Sequence, residues 1–353
     1  MAVVFGTMSI ALPILYDFES GYDGNMSIDS SEVERTMEQT LPPNFGGNRI
    51  HVVQVGLGTN STFVQNLGGL EKDWCANMHW LLEIVSEFKP QTFTGVGVEP
   101  VEEYVKAMRK ISCKCLPKVA LLQVALGEAN QDDVELHVLT KEKNEEILMQ
   151  VPEHQKEEVT YYLTFLRNMS CAGCIHPAYE EQRRWLQDHY NVDVKLASNR
   201  TSVWSYAYLA ETLNFKGCEL LIIDAEGSDT AILRSLMAYC REEEHDSRNS
   251  WPYVIQFETM GHCDRREGNN AEWETISELE YAGYILVAYS HYNSQLVRVE
   301  ALNVPRIQEW LNKLQCWSCN KPKLYPYIFG PFRDGGLSIM CRGCLKLTPW
   351  AQN

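Results

Sequence analysis

The sequence has no long apolar run and no basic residue in its opening segment. A membrane-spanning helix needs roughly 20 consecutive apolar residues, and no stretch approaches that length, so we expect no membrane span. Residues 1–16 are mildly apolar but contain neither Lys nor Arg. This excludes the positive start of a secretory signal and the Arg-rich character of a transit peptide. We therefore expect an intracellular, cytoplasmic protein, with an organelle as the alternative.

Positive charge is scarce along the whole chain. The sequence has 31 Lys and Arg against 47 Asp and Glu, which gives a formal net charge of -16 at pH 7. A general nucleic-acid binder needs a basic face to contact phosphates, so nucleic acid is not expected as a partner. The apolar content is ordinary for a globular protein. The 353 residues suffice for one large domain with additions, or for two domains.

Cysteine, by contrast, is plentiful, with 12 residues. In an intracellular protein this favours metal sites and buried thiols over a disulfide framework. Two CxxC pairs near the C-terminus can place four thiolates around a tetrahedral zinc ion: Cys316, Cys319, Cys341 and Cys344. We predict a structural zinc in a zinc-ribbon-like module over residues 301–353, and two disulfides or free thiols are the alternative. The segment is locally basic and offers a docking site for a protein partner, unless it is only a small cap on the sheet.

Two further segments stand apart from the main pattern. Residues 1–48 are acidic and rich in Ser, Gly and Pro, which predicts a flexible N-terminal segment before a domain at 49–300. A polar, helical stretch at about 141–190 predicts an insertion or lid. It contains Cys171, Cys174 and His176, a candidate second metal set that Cys113 and Cys115 could join. Spacing alone does not show whether these residues meet.

The central stretch of the chain is a short apolar run, Leu220–Ile223, followed at once by two acids, Asp224 and Glu226. The run is typical of a strand buried on both faces of a sheet. Ser228 or Asp229 can cap the helix that follows. In open α/β sheets, ligands bind at the carboxyl ends of the strands, so we predict that these acids are functional. The alternative is an ordinary strand–helix junction with solvated acids.

A glycine-rich turn follows the predicted strand Ile50–Val55. It includes Gly56, Gly58 and Asn60 and leads into a helical pattern. Such a turn brings backbone N–H groups close to a ligand. Ser61 stands where the dinucleotide fingerprint has its third Gly or Ala, which counts against a nicotinamide-dependent enzyme.

Glu99 closes the second predicted strand, Phe93–Val98. A carboxylate at this place suits a ribose diol, because it can accept two hydroxyl hydrogen bonds. It lies about 40 residues beyond the glycine turn, whereas a compact dinucleotide unit has about 20. The alternative is that Glu99 caps the next helix.

The rest of the chain alternates strands and helices and ends in a hairpin. The patterns predict strands at Val119–Leu126 and Tyr253–Phe257, a helix at Thr201–Leu213, and hairpin arms at Tyr284–Tyr289 and Gln295–Val299. This order predicts an α/β fold with a doubly wound, mostly parallel sheet and one antiparallel edge.

Six short motifs occur in this order: Val55-Gly-Leu-Gly-Thr-Asn60, Val98-Glu-Pro100, Val124-Ala-Leu-Gly127, Ile223-Asp-Ala-Glu-Gly227, Phe257-Glu258 and Gly283-Tyr284. The series resembles the FkbM-like branch of the class I S-adenosylmethionine-dependent methyltransferases, over about residues 50–299. The resemblance implies a Rossmann-like seven-stranded sheet whose last strand is antiparallel.

The resemblance also assigns roles to residues. The Gly56–Asn60 turn would hold the methionine moiety of S-adenosylmethionine, and Glu99 its ribose hydroxyls. Val124 and Ala125 would lie near the adenine, and Asp224 and Glu226 would face the sulfonium and the acceptor. Gln54 departs from the family, which usually has an acid there that helps to hold the cofactor.

The function implied is methyl transfer to a hydroxyl or similar nucleophile of a small molecule or glycan. A base helps to remove the hydroxyl proton. Asp224 leads on position, and the other candidates are Glu226, Glu258, His262 and His291. The alternative is a catalytically inactive scaffold subunit of a larger assembly, which Gln54 and the added cysteine module favour.

Overall fold

The structure is a computed structural model. It describes residues 43–58, 93–115, 118–169, 171–173, 176–242, 250–268, 270–289, 293–305, 327–331 and 337–341. The chain divides into two units after residue 41, and all described residues belong to the second. Most of the predicted N-terminal segment, residues 1–42, lies outside the described residues.

The strands of the described residues are β1 (Asn48–Val55), β2 (Gly95–Val98), β3 (Val119–Leu122), β4 (Ala125–Leu126), β5 (Gln131–Val138), β6 (Cys171–Ala172), β7 (Ala197–Trp204), β8 (Phe215–Ile223), β9 (Val254–Glu258), β10 (Tyr284–Tyr289), β11 (Asn293–Arg298), β12 (Tyr327–Pro331) and β13 (Leu337–Cys341). The α-helices in the same part of the chain are α1 (Glu102–Cys115), α2 (Lys141–Gln150), α3 (Lys156–Asn168), α4 (Pro177–Tyr190), α5 (Tyr206–Leu213), α6 (Asp229–Arg241), α7 (His262–Glu267) and α8 (Ala271–Tyr281). Short 3-10 helices occupy Glu153–Gln155 and Val299–Asn303.

Seven strands form the main sheet, in the order β10-β11-β9-β8-β1-β2-β3. Neighbours from β9 to β3 are parallel, whereas β11 is antiparallel to both β9 and β10. The predicted α/β fold with a mostly parallel seven-stranded sheet is therefore confirmed. The reversed strand is the last of the sheet in chain order, as predicted, but it lies between β9 and β10 and not at the edge.

The main core lies on one face of this sheet. Val53 and Val55 of β1 and Leu221 and Ile223 of β8 belong to it, together with buried side chains of α5, α6 and α8. Alternate residues of a strand point to the same face, which is why these positions share a neighbourhood. Full burial of each such side chain contributes about 1.5–3 kcal/mol.

A second sheet, with the order β4-β7-β5-β6, lies outside the main one. It corrects two sequence predictions. The predicted strand Val119–Leu126 is divided, because β3 ends at Leu122 and β4 pairs with β7. The first residues of the predicted helix Thr201–Leu213 are strand, and α5 begins only at Tyr206. The Ser205 hydroxyl oxygen accepts the N–H of Tyr208 and so caps the helix at that point.

The polar stretch between β5 and β7 contains the helices α2, α3 and α4. They share a core of their own, in which Leu163, Leu166 and Leu186 are almost completely buried. The two-residue strand β6 lies within this stretch and pairs with β5. The residues from Lys141 to Tyr190 form what we call the helical insertion.

The C-terminal segment is described only for the hairpin β12–β13, in which Tyr327 pairs with Cys341. Three of the predicted zinc ligands, Cys316, Cys319 and Cys344, lie outside the described residues, and the zinc site stays a prediction. No helix in the described ranges is long and apolar enough to cross a membrane.

Candidate functional site

The parallel strands β2, β1, β8 and β9 are neighbours, and their carboxyl ends lie side by side along one side of the main sheet. Three of these strands end in an acid or are followed by one. Glu99 follows β2, Asp224 follows β8, and Glu258 is the last residue of β9. The ladder continues into the turns, since the Asp224 N–H donates to the Val55 carbonyl at 3.0 Å. The carboxyl ends of neighbouring parallel strands lie next to one another. The sequence prediction that Gly56, Glu99 and Asp224 are neighbours was based on this property of parallel sheets.

Gly56 is the residue that allows β1 and β8 to come this close. Its φ is +78°, and a Cβ there would lie 1.7 Å from the Asp224 carbonyl oxygen. Only glycine fits both the positive φ and the contact. Gly58 also has a positive φ of +54°, but a Cβ there would meet no atom of the described residues within 4 Å. Gly56 is therefore required by the close approach of β1 and β8, whereas Gly58 has no such contact in this part of the chain.

The Glu99 carboxylate holds the glycine turn. Its Oε2 accepts the N–H groups of Leu57 and Gly58, both at 3.0 Å, and its Oε1 accepts the N–H of Val101 at 2.9 Å. Only 4% of the residue is exposed. Burial raises the pKa of Glu99, and the three backbone hydrogen bonds oppose that rise. Ribose binding and helix capping were the predicted roles of Glu99. The structure adds a third role, because the carboxylate also fixes the glycine turn.

The Asp-Ala-Glu-Gly turn after β8 directs its two acids differently. Asp224 is exposed, whereas Glu226 is partly buried and has a positive φ of +50°. A positive φ is uncommon for a non-glycine residue and costs about 1–3 kcal/mol. Gly227 packs against the start of α7, where a Cβ would lie 3.2 Å from the His262 carbonyl oxygen.

Glu226 belongs to a cluster with two histidines. Its Oε2 lies 3.4 Å from Nδ1 of His262 and 3.7 Å from Nε2 of His176. Nδ1 of His262 also lies 3.0 Å from Oε2 of Glu258, within hydrogen-bond distance. The two imidazole rings meet edge to face with their centres 4.4 Å apart. One ligand-type atom from each of His176, Glu226 and His262 lies within 4.8 Å of the others.

The two histidines of this cluster carry different charges at neutral pH. Burial lowers the pKa of His262, but hydrogen bonds with Glu226 and Glu258 outweigh it and raise the pKa to about 10. Burial and the neighbouring His262 lower the pKa of His176 to about 4. His262 is therefore a cation between two carboxylates, and His176 is neutral. The Ala178 N–H donates to Nδ1 of His176 at 3.2 Å, which places the ring proton of His176 on Nε2.

Several carboxyl groups crowd this edge. Asp229 is fully buried, and its Oδ1 accepts the Glu258 N–H at 3.2 Å. Burial and the charge of Glu258 raise its pKa to about 8. Asp224 is exposed, yet loss of hydration and the charges of Glu258 and Glu226 raise its pKa well above the ordinary value. Asp224 and Asp229 therefore hold their protons more tightly than ordinary aspartic acids do.

The remaining predicted cofactor residues lie in the sheet or outside the described part. Gln54 is 4% exposed and sits in β1 opposite Gly97 of β2 and Ile222 of β8. Val124 and Ala125 are buried beyond the end of β3. Asn60 and the candidate base His291 lie outside the described residues.

Sequence reasoning placed His176 only with Cys171 and Cys174. In the structure it faces Glu226 and His262 instead, and Cys174 lies outside the described residues. The local signal was visible, since a polar residue before Pro177 is typical of a helix start, and His176 is the N-cap of α4. Its partners are about 50 to 90 residues further along the chain, and only the packing of the helical insertion shows them.

Neither a protein family nor a curated protein was found to match this chain.

Proposed function

We propose that the chain is an S-adenosylmethionine-dependent methyltransferase that acts on a hydroxyl or similar nucleophile of a small molecule or glycan. The observation that supports it is the shared edge of β1, β2 and β8, where the glycine turn, Glu99 and Asp224 are neighbours. The mostly parallel seven-stranded sheet with its last strand reversed agrees with the fold that the sequence resemblance implies.

Each residue of the candidate site has a role that follows from its position. S-adenosylmethionine supplies a methyl group on a positively charged sulfur, so the protein mainly has to align the acceptor. The turn at Gly56 and Gly58 offers backbone N–H groups, and Glu99 fixes that turn while keeping lone pairs for ribose hydroxyls. Asp224 is exposed and has a raised pKa, which makes it a better proton acceptor than an ordinary aspartate. Glu226 and His262 form the ion pair beside it.

Calorimetry with S-adenosylmethionine tests this proposal. The parent protein should bind the cofactor, and Glu99→Gln should bind at least about tenfold more weakly, because a charge-assisted hydrogen bond is worth about 1.5–3 kcal/mol. Asp132→Asn, a change at an exposed acid of β5, is the control and should bind like the parent. Gly56 variants are not suitable, because a side chain there meets the Asp224 backbone whether or not a cofactor binds.

The second candidate function is a catalytically inactive scaffold. The bonding of Glu99 favours it. Both carboxylate oxygens already accept backbone N–H groups and little of the residue is exposed, so the carboxylate has little capacity left to bind a ligand. A folded parent protein that shows no heat of binding with S-adenosylmethionine would support the scaffold and remove the enzyme.

A further inference from the structure

We infer that His176, Glu226 and His262 form a binding site for a divalent transition-metal ion, separate from the predicted four-cysteine zinc site. The three side chains come from three elements: the N-cap of α4 in the helical insertion, the turn after β8, and the first residue of α7. One nitrogen or carboxylate oxygen of each lies within 4.8 Å of the others.

The distances between the ligand atoms fit a metal ion, which would replace the proton that Nδ1 of His262 shares with Glu226 and Glu258. A tetrahedral ion with bonds of about 2.0–2.1 Å places its ligand atoms about 3.3 Å apart. The Glu226 Oε2 lies 3.4 Å from Nδ1 of His262 and 3.7 Å from Nε2 of His176. The second of these distances is too long for a direct hydrogen bond, yet both atoms belong to the group that lies within 4.8 Å.

His176 supplies an independent observation. Its side chain is completely buried, and its Nε2 has no hydrogen-bond partner among the described residues. A buried polar atom without a partner is costly and calls for an explanation. Ligation of an ion would satisfy it. The ring proton would then move from Nε2 to Nδ1, at the cost of the 3.2 Å hydrogen bond from the Ala178 N–H.

The surrounding charge also favours a cation. Glu226 and Glu258 approach Nδ1 of His262 to 3.4 and 3.0 Å, and Asp229 accepts the Glu258 N–H at 3.2 Å. A divalent ion would offset this crowding of carboxyl groups in a partly buried place. Two imidazoles and one carboxylate are the ligands of Zn²⁺, Fe²⁺ or Mn²⁺ and do not suit Mg²⁺ or Ca²⁺, which prefer oxygen.

Three protein ligands leave a fourth position for water or substrate, as in catalytic metal sites. The exposed Asp224 stands in the same turn as Glu226. The inferred ion would therefore lie close to the exposed acid of the candidate site. The two proposals can fail separately, because metal content tests this one and cofactor calorimetry tests the methyltransferase.

Zinc content of the full-length protein, measured after loading with Zn²⁺ and removal of the excess, tests the inference. We expect the parent to hold one zinc ion more than His176→Asn or Glu226→Gln. Asparagine is a good N-cap, so His176→Asn keeps an acceptor for α4 while it removes the Nε2 ligand. The matched control is His137→Asn, because His137 pairs with Glu135 at 3.9 Å outside the cluster. It should hold as much zinc as the parent.

Affinity and spectroscopy complete the test. The two cluster variants should bind Zn²⁺ at this site more than about 100-fold more weakly, beyond the 10–100-fold typical of an outer-shell change. With Co²⁺ as the probe, His176→Asn should remove visible absorption of the nitrogen–oxygen type and leave any thiolate-to-metal absorption intact. Equal zinc content and equal Co²⁺ spectra for the folded parent, His176→Asn and Glu226→Gln would overturn the inference. If one variant fails to fold, the other decides.

Discussion

Gly56 and Gly58 lie two residues apart in the same turn but face different surroundings. A Cβ at Gly56 would lie 1.7 Å from the Asp224 carbonyl oxygen, and one at Gly58 would meet no atom within 4 Å in the part of the chain that the structure describes. We expect Gly56→Ala to lower the free energy of unfolding by more than about 3 kcal/mol, because two backbones would have to separate. Gly58→Ala should cost only the positive φ, about 1–2 kcal/mol. Urea unfolding of both variants checks this, and equal losses would contradict it.

Asp229 gives the fold a pH dependence of its own. It is fully buried, and its Oδ2 has no hydrogen-bond partner among the described residues. Burial and Glu258 raise its pKa from 3.8 to about 8. Between these two values the folded state keeps a proton that the unfolded state has released, so a rise in pH favours unfolding.

We expect the stability of the parent relative to Asp229→Asn to fall as the pH rises from 3.8 to about 8 and to stay level above that. The slope should be at most about 1.4 kcal/mol per pH unit, the value for one proton. Denaturant unfolding of both proteins at several pH values measures it. The exposed variant Asp132→Asn should follow the parent throughout. Parallel curves for the parent and Asp229→Asn would show that Asp229 does not titrate in this way.

At the level of single residues, the sequence predicts positions better than contacts. The neighbourhood of Gly56, Glu99 and Asp224 follows from parallel strands, whose carboxyl ends must share an edge. The three backbone hydrogen bonds of Glu99 do not follow, because they depend on the path of the turn and on side-chain rotation. His176 was missed as a partner of Glu226 because no local pattern records a contact between distant segments.

The helical insertion behaves as an element with its own core. Leu163 of α3 is completely buried in it, whereas Phe165 of the same helix is 42% exposed. We expect Leu163→Ala to lower the free energy of unfolding by about 2–5 kcal/mol, through lost burial and the cavity left behind. Phe165→Ala should change it by less than about 1 kcal/mol. Thermal unfolding of the two variants compares them, and a larger effect at Phe165 would contradict the packing.

The ends of strands and helices were predictable where a single hydrophobic pattern stopped at a distinct change of residue type. Leu220–Ile223 was correctly predicted as strand, because a continuous apolar run followed by acids marks its end. Val119–Leu126 was predicted as one strand and is two, since its residues change from the main sheet to the second sheet after Leu122. Hydrophobic periodicity reports burial and does not report which strand supplies the hydrogen bonds.

At the level of the whole molecule, the alternation of strands and helices was enough to predict a mostly parallel sheet, and the family resemblance implied its seven strands. The position of β11 inside the sheet was not predictable, because a hairpin pattern fixes that two strands pair but not on which side a third strand lies. The second sheet was missed as well, since its strands are short and separated by the helical insertion.

The insertion of β11 between β9 and β10 has a consequence for synthesis on the ribosome. β9 and β10 both precede β11 in the chain. β9 can pair with β8 at once, but its other side stays unpaired, and β10 cannot join the sheet, until residues 293–298 have also emerged. Until then the nascent chain exposes an unpaired edge on β9, which is a template for pairing with other chains. Synthesis of residues 293–298, and not the growth of the first strands, therefore sets the moment at which the last gap in the sheet is filled.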